Sequence, residues 1–509
     1  MGQERQSIHI GAPGFRGLNT QDSPVNSDPA FASVAENAVI DDYGRIGARK
    51  GLDKLTSSAT PLGSSNGLQS MAEFIALDGS IKIYSAGNSK LFSGTTTLTD
   101  ETPGGGYSVS GDDWKIINFN NHEFFFQRGH EPLVFQDGGT LEKMSAHTGA
   151  AGTPPQAHEC LAAFGRLWAA DFTGDKNTIY WSDTLDGVVW TGGATGSIDV
   201  KTVWPTGYDE VVALAAHNNH LVIFGKRSIL LYTGATAPAS MALADTVANV
   251  GCIARDSVQH TGGDLLFLSD TGLRSLGRTI QEKSAPLKDI SKNVRDELMA
   301  LVDASTLPIK SAYSPEESFY LLFLPTSATV YCFDTRTPME DGSFRATEWP
   351  NTTVLSGLRA SDGTLYLGTA KGVNKYNDFL DDTSTYQMRY YTNPMSFGDP
   401  SRLKILKEIT FTVVGGQSSQ VVLNWGYDYT EGYNKTSAIV FANSQIAEYG
   451  ISEYNVSTSE YSKSIIIDKI KAKPTGTGTV ATIGFEATIN GAALSIQDLN
   501  TEALIGRMI

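Results

Sequence analysis

The chain is short of cysteine, of charge and of continuous apolar sequence. Its three cysteines, Cys160, Cys252 and Cys332, are widely spaced and odd in number. None forms a CxxC pair, which argues against a disulfide framework and a structural zinc site; buried free thiols are the expectation. No run approaches the ~18 apolar residues that a membrane helix needs. The opening MGQERQSIHI has no apolar stretch of a signal peptide, and Gln6 stands where a myristoylation signal requires Ser or Thr. A soluble chain without a membrane anchor is therefore expected. Charged residues make up 18 %, below the usual quarter, and basic ones are the scarcer: 39 Lys+Arg against 55 Asp+Glu gives 39 − 55 = −16. A sequence-reading nucleic-acid binder needs clustered Lys and Arg to neutralise phosphates, so this balance argues against one. It is compatible with a surface past which nucleic acid slides without adhering.

What is present is apolar sequence in short pieces. Hydrophobic residues are 40 % of 509, enough to bury a large core without a disulfide or metal. Helical spacing is convincing only at 292–303 (KNVRDELMALVD), where Leu298, Leu301 and Val302 share a face. Segments 81–85, 115–119, 123–126, 221–224, 265–269, 319–324 and 364–367 are rich in β-branched and aromatic residues and predict strands. Turn formers bound them, as at Asp78-Gly79, Asn120-Asn121, Asn218-Asn219 and Asp362-Gly363.

The spacing says more than any one strand. Units with the same strand–turn–strand grammar begin near residues 67, 113, 158, 209, 255, 308 and 353, a repeat of roughly 45 residues that matches four-stranded propeller blades. The expectation is an all-β chain with a β-propeller of seven blades, six being the alternative count and stacked sandwiches the competing architecture. The last unit is short, and an N-terminal hairpin around 37–55 is expected to add strands to it and close the ring. Past about residue 385 the strands lengthen, at 404–414, 419–426, 463–472 and 478–488, which predicts a C-terminal antiparallel β-sandwich. The expected domains are thus an arm and hairpin over 1–66, a propeller over 67–384 and a sandwich over 385–509.

Catalytic motifs are missing. There is no GxGxxG opening a helix, no GxxxxGK[ST], no HExxH and no GxSxG. His217 and His220 flank an Asn-Asn turn, where a solvated hairpin is the better reading than a metal site. The paired carboxylates at 41–42, 112–113 and 381–382 read as surface turns, because neighbours on a strand point to opposite faces. The segment Tyr180-Trp181-Ser182-Asp183 through Trp190 resembles the Asp-box turns of sialidase propellers, but the Ser–Asp spacing is off and one copy occurs. It is expected to stabilise a blade, with Trp181 and Trp190 in the core. Strand aromatics such as Phe124, Phe125, Phe126, Tyr320, Phe323, Tyr390 and Tyr391 are expected between blades rather than on a sugar-binding platform. Neither an enzymatic activity nor a cofactor is expected.

The most distinctive stretch is N-terminal. It runs Gly17-Leu18-Asn19-Thr20-Gln21-Asp22-Ser23-Pro24, then Ala35-Glu36-Asn37-Ala38-Val39-Ile40-Asp41, then Tyr43-Gly44-Arg45-Ile46-Gly47-Ala48-Arg49-Lys50-Gly51. Gly44 supplies a hairpin turn, and Arg45, Arg49 and Lys50 form the one local basic cluster of an acidic chain. This pattern resembles the opening of tail nozzle (tail tubular B-type) proteins of short-tailed bacteriophages, related to podophage tail hubs. The stretch 490–497 with Gly506-Arg507 is similar to the end of such proteins. About 40 N-terminal and 30 C-terminal residues carry the resemblance.

The resemblance implies a structural virion protein: a homo-hexameric propeller ring at the distal end of the tail, assembled in the host cytoplasm. It implies attachment to an adaptor ring (tail tubular A-type proteins), contact with tail fibres or spikes, and passage of viral double-stranded DNA without sequence-specific binding. A long nozzle and a compact hub both remain open. Tyr43, Gly44, Arg45 and Arg49 are the candidate inter-subunit signature, an ordinary charged hairpin being the other reading. A carbohydrate-binding or carbohydrate-degrading propeller is the alternative function; it predicts carboxylates and aromatics clustered at one mouth.

Overall fold

The computed structural model describes residues 4–23, 28–57, 62, 67–105, 107–282, 289–417, 419–428, 433–435, 439–440 and 467–508. Seven antiparallel sheets succeed one another along the chain, each beginning with an inner strand. These inner strands are Ser70–Ile75, Lys115–Phe119, Ala157–Ala163, Val211–His217, Gln259–His260, Lys310–Ser314 and Ser356–Arg359. They ring a common axis, and the last lies against the first. The protein is a seven-bladed β-propeller followed by an antiparallel β-sandwich.

The strong apolar runs become the second strands, buried on both faces by neighbouring blades. Leu221, Val222, Ile223 and Phe224 of His220–Gly225 are all fully buried, as is every residue of Phe319–Leu324. Near-continuous hydrophobic strands are what burial on both faces requires. The two-residue turns Asn120-Asn121 and Asn218-Asn219 have φ of 48° and 61°, and 46° and 62°. Such values suit a hairpin twist that Asn tolerates. Among the described residues the fifth blade has three strands, and the helices Leu276–Glu282 and Arg295–Asp303 follow it. Leu298 and Val302 of the second helix are buried.

The seventh blade takes only three strands from residues 356–377. Its fourth is Gly51–Lys54 from near the N-terminus, paired antiparallel to Gly372–Asn377 with Gly51 opposite Asn377. The ring is thereby clasped by two distant parts of the chain. At Gly51 a Cβ would fall 1.8 Å from the Leu380 carbonyl oxygen, so the strand reaches its place only without a side chain there.

Other described N-terminal strands enter the sandwich, so the described part of 1–66 is shared between propeller and sandwich. One sandwich sheet holds Arg402–Gly415, Ile467–Ala472 and Leu494–Met508 with Glu4–Gly11, Ala38–Ile40 and Ile46–Ala48. The other holds Tyr386–Thr392, Gln420–Tyr427 and Ala481–Ile489 with Phe31–Glu36. The two faces meet in an apolar layer where the Phe411 and Phe485 rings lie 5.2 Å apart. Phe31–Glu36 also runs parallel to Arg345–Trp349, the outer strand of the sixth blade, at the register pair Glu36–Glu348. One continuous sheet therefore crosses from propeller to sandwich. Of the strand expected at 463–472, residues 463–466 lie outside the described residues, as does Pro24 of the N-terminal motif.

Candidate functional site: the propeller axis and the N-terminal junction

Charged residues at the leading ends of four inner strands converge on the propeller axis. Arg255, 6 % exposed at its side chain, donates from Nη2 to Asp113 Oδ1 (2.7 Å) and Asp256 Oδ2 (2.6 Å), and from Nη1 to the His158 carbonyl (2.6 Å). Lys310 Nζ donates to Asp113 Oδ1 (2.6 Å) and Asp256 Oδ2 (3.0 Å). Lys115 Nζ sits farther off, 3.3 Å from Asp256 Oδ1 and 3.5 Å from Glu159 Oε2. The network joins the second, third, fifth and sixth blades across the axis.

Its electrostatics follow from burial against charge. Burial alone would raise the Asp113 and Asp256 carboxyls, but Arg255 and Lys310 outweigh it and hold both below the usual range. Burial, reinforced by the adjacent Arg255 charge, pulls the His158 imidazole down to about 3, so it is neutral at pH 7. Glu159 goes the other way: burial pushes its carboxyl up to about 7, against the pull of Lys115 and Arg255.

Three cavities follow one another along this axis. The first, about 570 Å³, is lined by Asp113, His158, Arg255, Asp256 and the loop 302–309. The second, about 150 Å³, shares Asp256 with it and is walled by Lys115, Lys310, Ser70, Gln259 and Ser356. The third, about 570 Å³, shares Val258, Gln259, Ser311 and Gly357 with the second and reaches Tyr313 and Arg359. The ionic network lies where the first and second meet. Chemically it is a strut: the Asp carboxylates are neutralised by cations on several sides, and the guanidinium spends its donors on them.

The N-terminal signature is the second focus. Arg49 is 2 % exposed. Its Nη1 and Nη2 donate to Asp381 Oδ1 and Oδ2 at 2.8 and 2.6 Å, and its Nε donates to Asn37 Oδ1 at 2.9 Å. The guanidinium lies over the rings of Tyr386 (4.3 Å) and Trp349 (5.6 Å), and the Tyr386 hydroxyl donates to the Arg49 carbonyl. Arg49 thus ties the hairpin, the sixth blade and the first sandwich strand together inside one chain. Arg45 donates from Nε to Asp41 Oδ2 at 2.7 Å and stacks on Tyr43 at 4.4 Å. Tyr43 is 68 % exposed. Gly44, at φ 73°, packs so near Pro13 that a Cβ would lie 2.6 Å from that ring. Tyr43 is the member of the four that faces outward; Arg49 has its partners within.

One pair read as a surface turn, 112–113, is placed otherwise. Asp112 is buried and accepts the Ser89 N–H at 2.7 Å, while Asp113 belongs to the axial network. Asp381 and Asp382 do lie in an exposed turn, from which Asp381 reaches Arg49. Spacing within a turn could not show that the turn abuts another blade. His217 and His220 flank their turn as expected, with His220 Nδ1 2.8 Å from the Asn218 carbonyl. In the segment resembling an Asp box, Ser182 is fully buried, Asp183 Oδ1 accepts the Thr184 and Ala194 N–H groups, and Trp181 packs on Trp168 at 5.5 Å. All three cysteines are buried and free. The axial network itself was not foreseen; its signal was a charged residue recurring at the start of successive units, as in 113–115, 158–159, 255–256 and 310.

The fold defines the class, a β-propeller carrying a β-sandwich. No family model matches the chain, and no curated protein matches it. Among solved structures it is similar to the extracellular domain of the one-component system BT4673 from B. thetaiotaomicron, at 12 % identity and a TM-score of 0.29 over 66 % of this chain and 41 % of that one. The chain thus matches about two fifths of that domain's length. It is also similar to YCF48 bound to D1 peptide (12 % identity, TM-score 0.38, 64 % of this chain and 98 % of that one). A third is the WD40 domain of Neurospora crassa Pan2 (10 %, 0.37, 66 % and 98 %).

Proposed function

We propose that the protein is a structural component of a short-tailed phage virion, a nozzle- or hub-type ring at the distal end of the tail. The observation that carries this reading is the N-terminal signature. Its residues are the clasp of the fold: Gly51 begins the strand that completes the seventh blade, and Arg49 ties propeller to sandwich. Gly51 and Arg49 are thereby constrained by the fold itself, which fits a signature set by structure and not by catalysis.

The charge fits the same role. A net −16 per chain, repeated around a ring, sets a negative field beside a passing duplex and discourages adhesion. Because the network of Asp113, Arg255, Asp256 and Lys310 lies across the propeller axis, the conduit in this reading runs between copies and not along a propeller. The carbohydrate alternative draws less support. The cavity rich in carboxylates has no Trp, Tyr or Phe in its wall, and the one reaching Tyr313 has no Asp or Glu. Neither of these two wider cavities combines a stacking face with an acid; the chamber between them does have Trp114 and Asp256 in its wall but holds only about 150 Å³.

Immunogold electron microscopy of purified virions, with antibody raised against this chain, tests the reading. Gold confined to the distal end of a short tail is expected. Unlabelled particles, with the protein found only among unassembled material, would overturn it.

A further inference from the structure

The middle cavity on the axis holds an imbalance of charge. Three cations, Lys115, Arg255 and Lys310, are held by two carboxylates at bonding distance, Asp113 and Asp256. The third carboxyl is Glu159, 1 % exposed at its side chain, whose Oε2 has no hydrogen-bond donor. Its Oε1 accepts only the Leu214 N–H at 3.3 Å. Lys115 meets its carboxylates at 3.3 and 3.5 Å, beyond the roughly 2.7–2.9 Å of a good charge-assisted bond. Its ammonium therefore retains bonding capacity beside a chamber of about 150 Å³. That volume is several times the roughly 30 Å³ share of one water molecule.

We propose that this chamber is a binding site for a small inorganic anion of halide size, held by the ammonium groups of Lys115 and Lys310. With Glu159 ionised the network is neutral, three charges against three. With Glu159 protonated it carries one net positive charge among side chains that are 1–26 % exposed, and such a charge is costly unless a counter-ion joins it. An anion restores neutrality and completes the bonding of Lys115. The site is independent of any role in a virion.

Glu159 takes its proton near neutral pH because burial disfavours its charged form. The groups facing it are Lys115 from the second blade, Arg255 and Asp256 from the approach to the fifth, and its own neighbours His158 and Cys160, with Asp113 and Cys252 next outward. His158 is neutral, the two thiols remain protonated, and the remaining charges do not change between pH 6 and 8, so Glu159 alone sets the dependence. Anion binding and proton uptake are then linked one to one, and chloride affinity falls about tenfold per pH unit once Glu159 is ionised.

The test uses the whole chain, melted in sodium chloride and in sodium gluconate of equal ionic strength at pH 6 and pH 8. Gluconate serves as the bulky comparison anion. Chloride is expected to raise Tm at pH 6 and to do so much less at pH 8. Glu159→Gln should give the pH 6 response at both values, and Lys115→Met should abolish it. An equal chloride response at both pH values in the unaltered protein, or its persistence in Lys115→Met, would overturn the proposal. Should either variant fail to fold, anomalous diffraction from bromide-soaked crystals of the unaltered protein at pH 6 decides: a peak beside Lys115 supports the site, and an empty chamber refutes it.

Discussion

Arg49 and Asp381 face one another fork to fork, Nη1 to Oδ1 at 2.8 Å and Nη2 to Oδ2 at 2.6 Å, although 332 positions separate them in sequence. Asp381 Oδ1 also accepts the N–H of Leu52, in the clasping strand. One carboxylate thus orients both the signature arginine and the strand that closes the ring. Replacing Arg49 by Ala leaves that carboxylate without its cation and removes the stacking on Tyr386. A loss of about 3 kcal/mol is expected, at the lower end of the range for a broken buried pair because Asp381 keeps some solvent. Arg49→Lys should recover only part of it, since an ammonium cannot make the two-pronged bond. Urea unfolding midpoints of the three proteins measure the effect.

Ring closure gives a second expectation. Gly51→Ala drives a methyl group into the Leu380 backbone, which does not yield as a flexible side chain would. Overpacking of this kind costs about 1–3 kcal/mol or more, and here it acts on the pairing of Gly51–Lys54 with Gly372–Asn377. Limited proteolysis should cut Gly51→Ala near residues 50–57 faster than the unaltered chain. Equal cutting rates would show that the strand accommodates the methyl group.

The sheet crossing from propeller to sandwich sets two glutamates side by side, Glu36 and Glu348. Burial, with Glu297 and Glu36 adding like charge, pushes the Glu348 carboxyl up to about 7. A carboxyl raised in the folded state holds its proton more tightly there than in the unfolded chain. Its stabilisation is complete below the unfolded value near 4.3 and is lost as pH climbs through 7. Stability should therefore decline between pH 5 and 8, and Glu348→Gln should remove about 1–2 kcal/mol of that decline. Guanidinium unfolding across the pH series is the measurement.

The thiols give a fourth. Burial raises all three, Cys252 to about 11, so none is a thiolate at neutral pH. A thiol reagent should find none of the three in the native protein at pH 8 and all three after denaturation. Fast reaction of a single native thiol would show that a blade opens.

Blade rhythm was legible because each unit buries the same central strand by the same rule. A run such as Phe319–Leu324, apolar at every position, is intelligible only when both faces are covered. Unit starts at 67, 113, 158, 209, 255, 308 and 353 fall within four residues of the inner strands. The helix at Arg295–Asp303 was legible from its apolar face, with the preceding turn Lys292–Val294 tightening to a 3₁₀ geometry. The short helix Leu276–Glu282 and the strand Leu494–Met508 were not, for one is too brief to show a period and the other alternates weakly.

Local pattern by itself determined that this chain is all-β, that its blades repeat, and that a different β architecture begins near residue 385. Those properties depend on which side chains are apolar and at what spacing, which sequence states directly. The short last unit anticipated that the N-terminal segment closes the ring; only the tertiary structure decided that the single strand Gly51–Lys54 does so, that the other described N-terminal strands join the sandwich, and that Asp113 lies in the axial network. Each of those depends on pairings across hundreds of residues, made because an unpaired strand edge or a buried charge finds its partner there. No spacing along the chain encodes such a meeting, so its consequences appear only once the ring is closed.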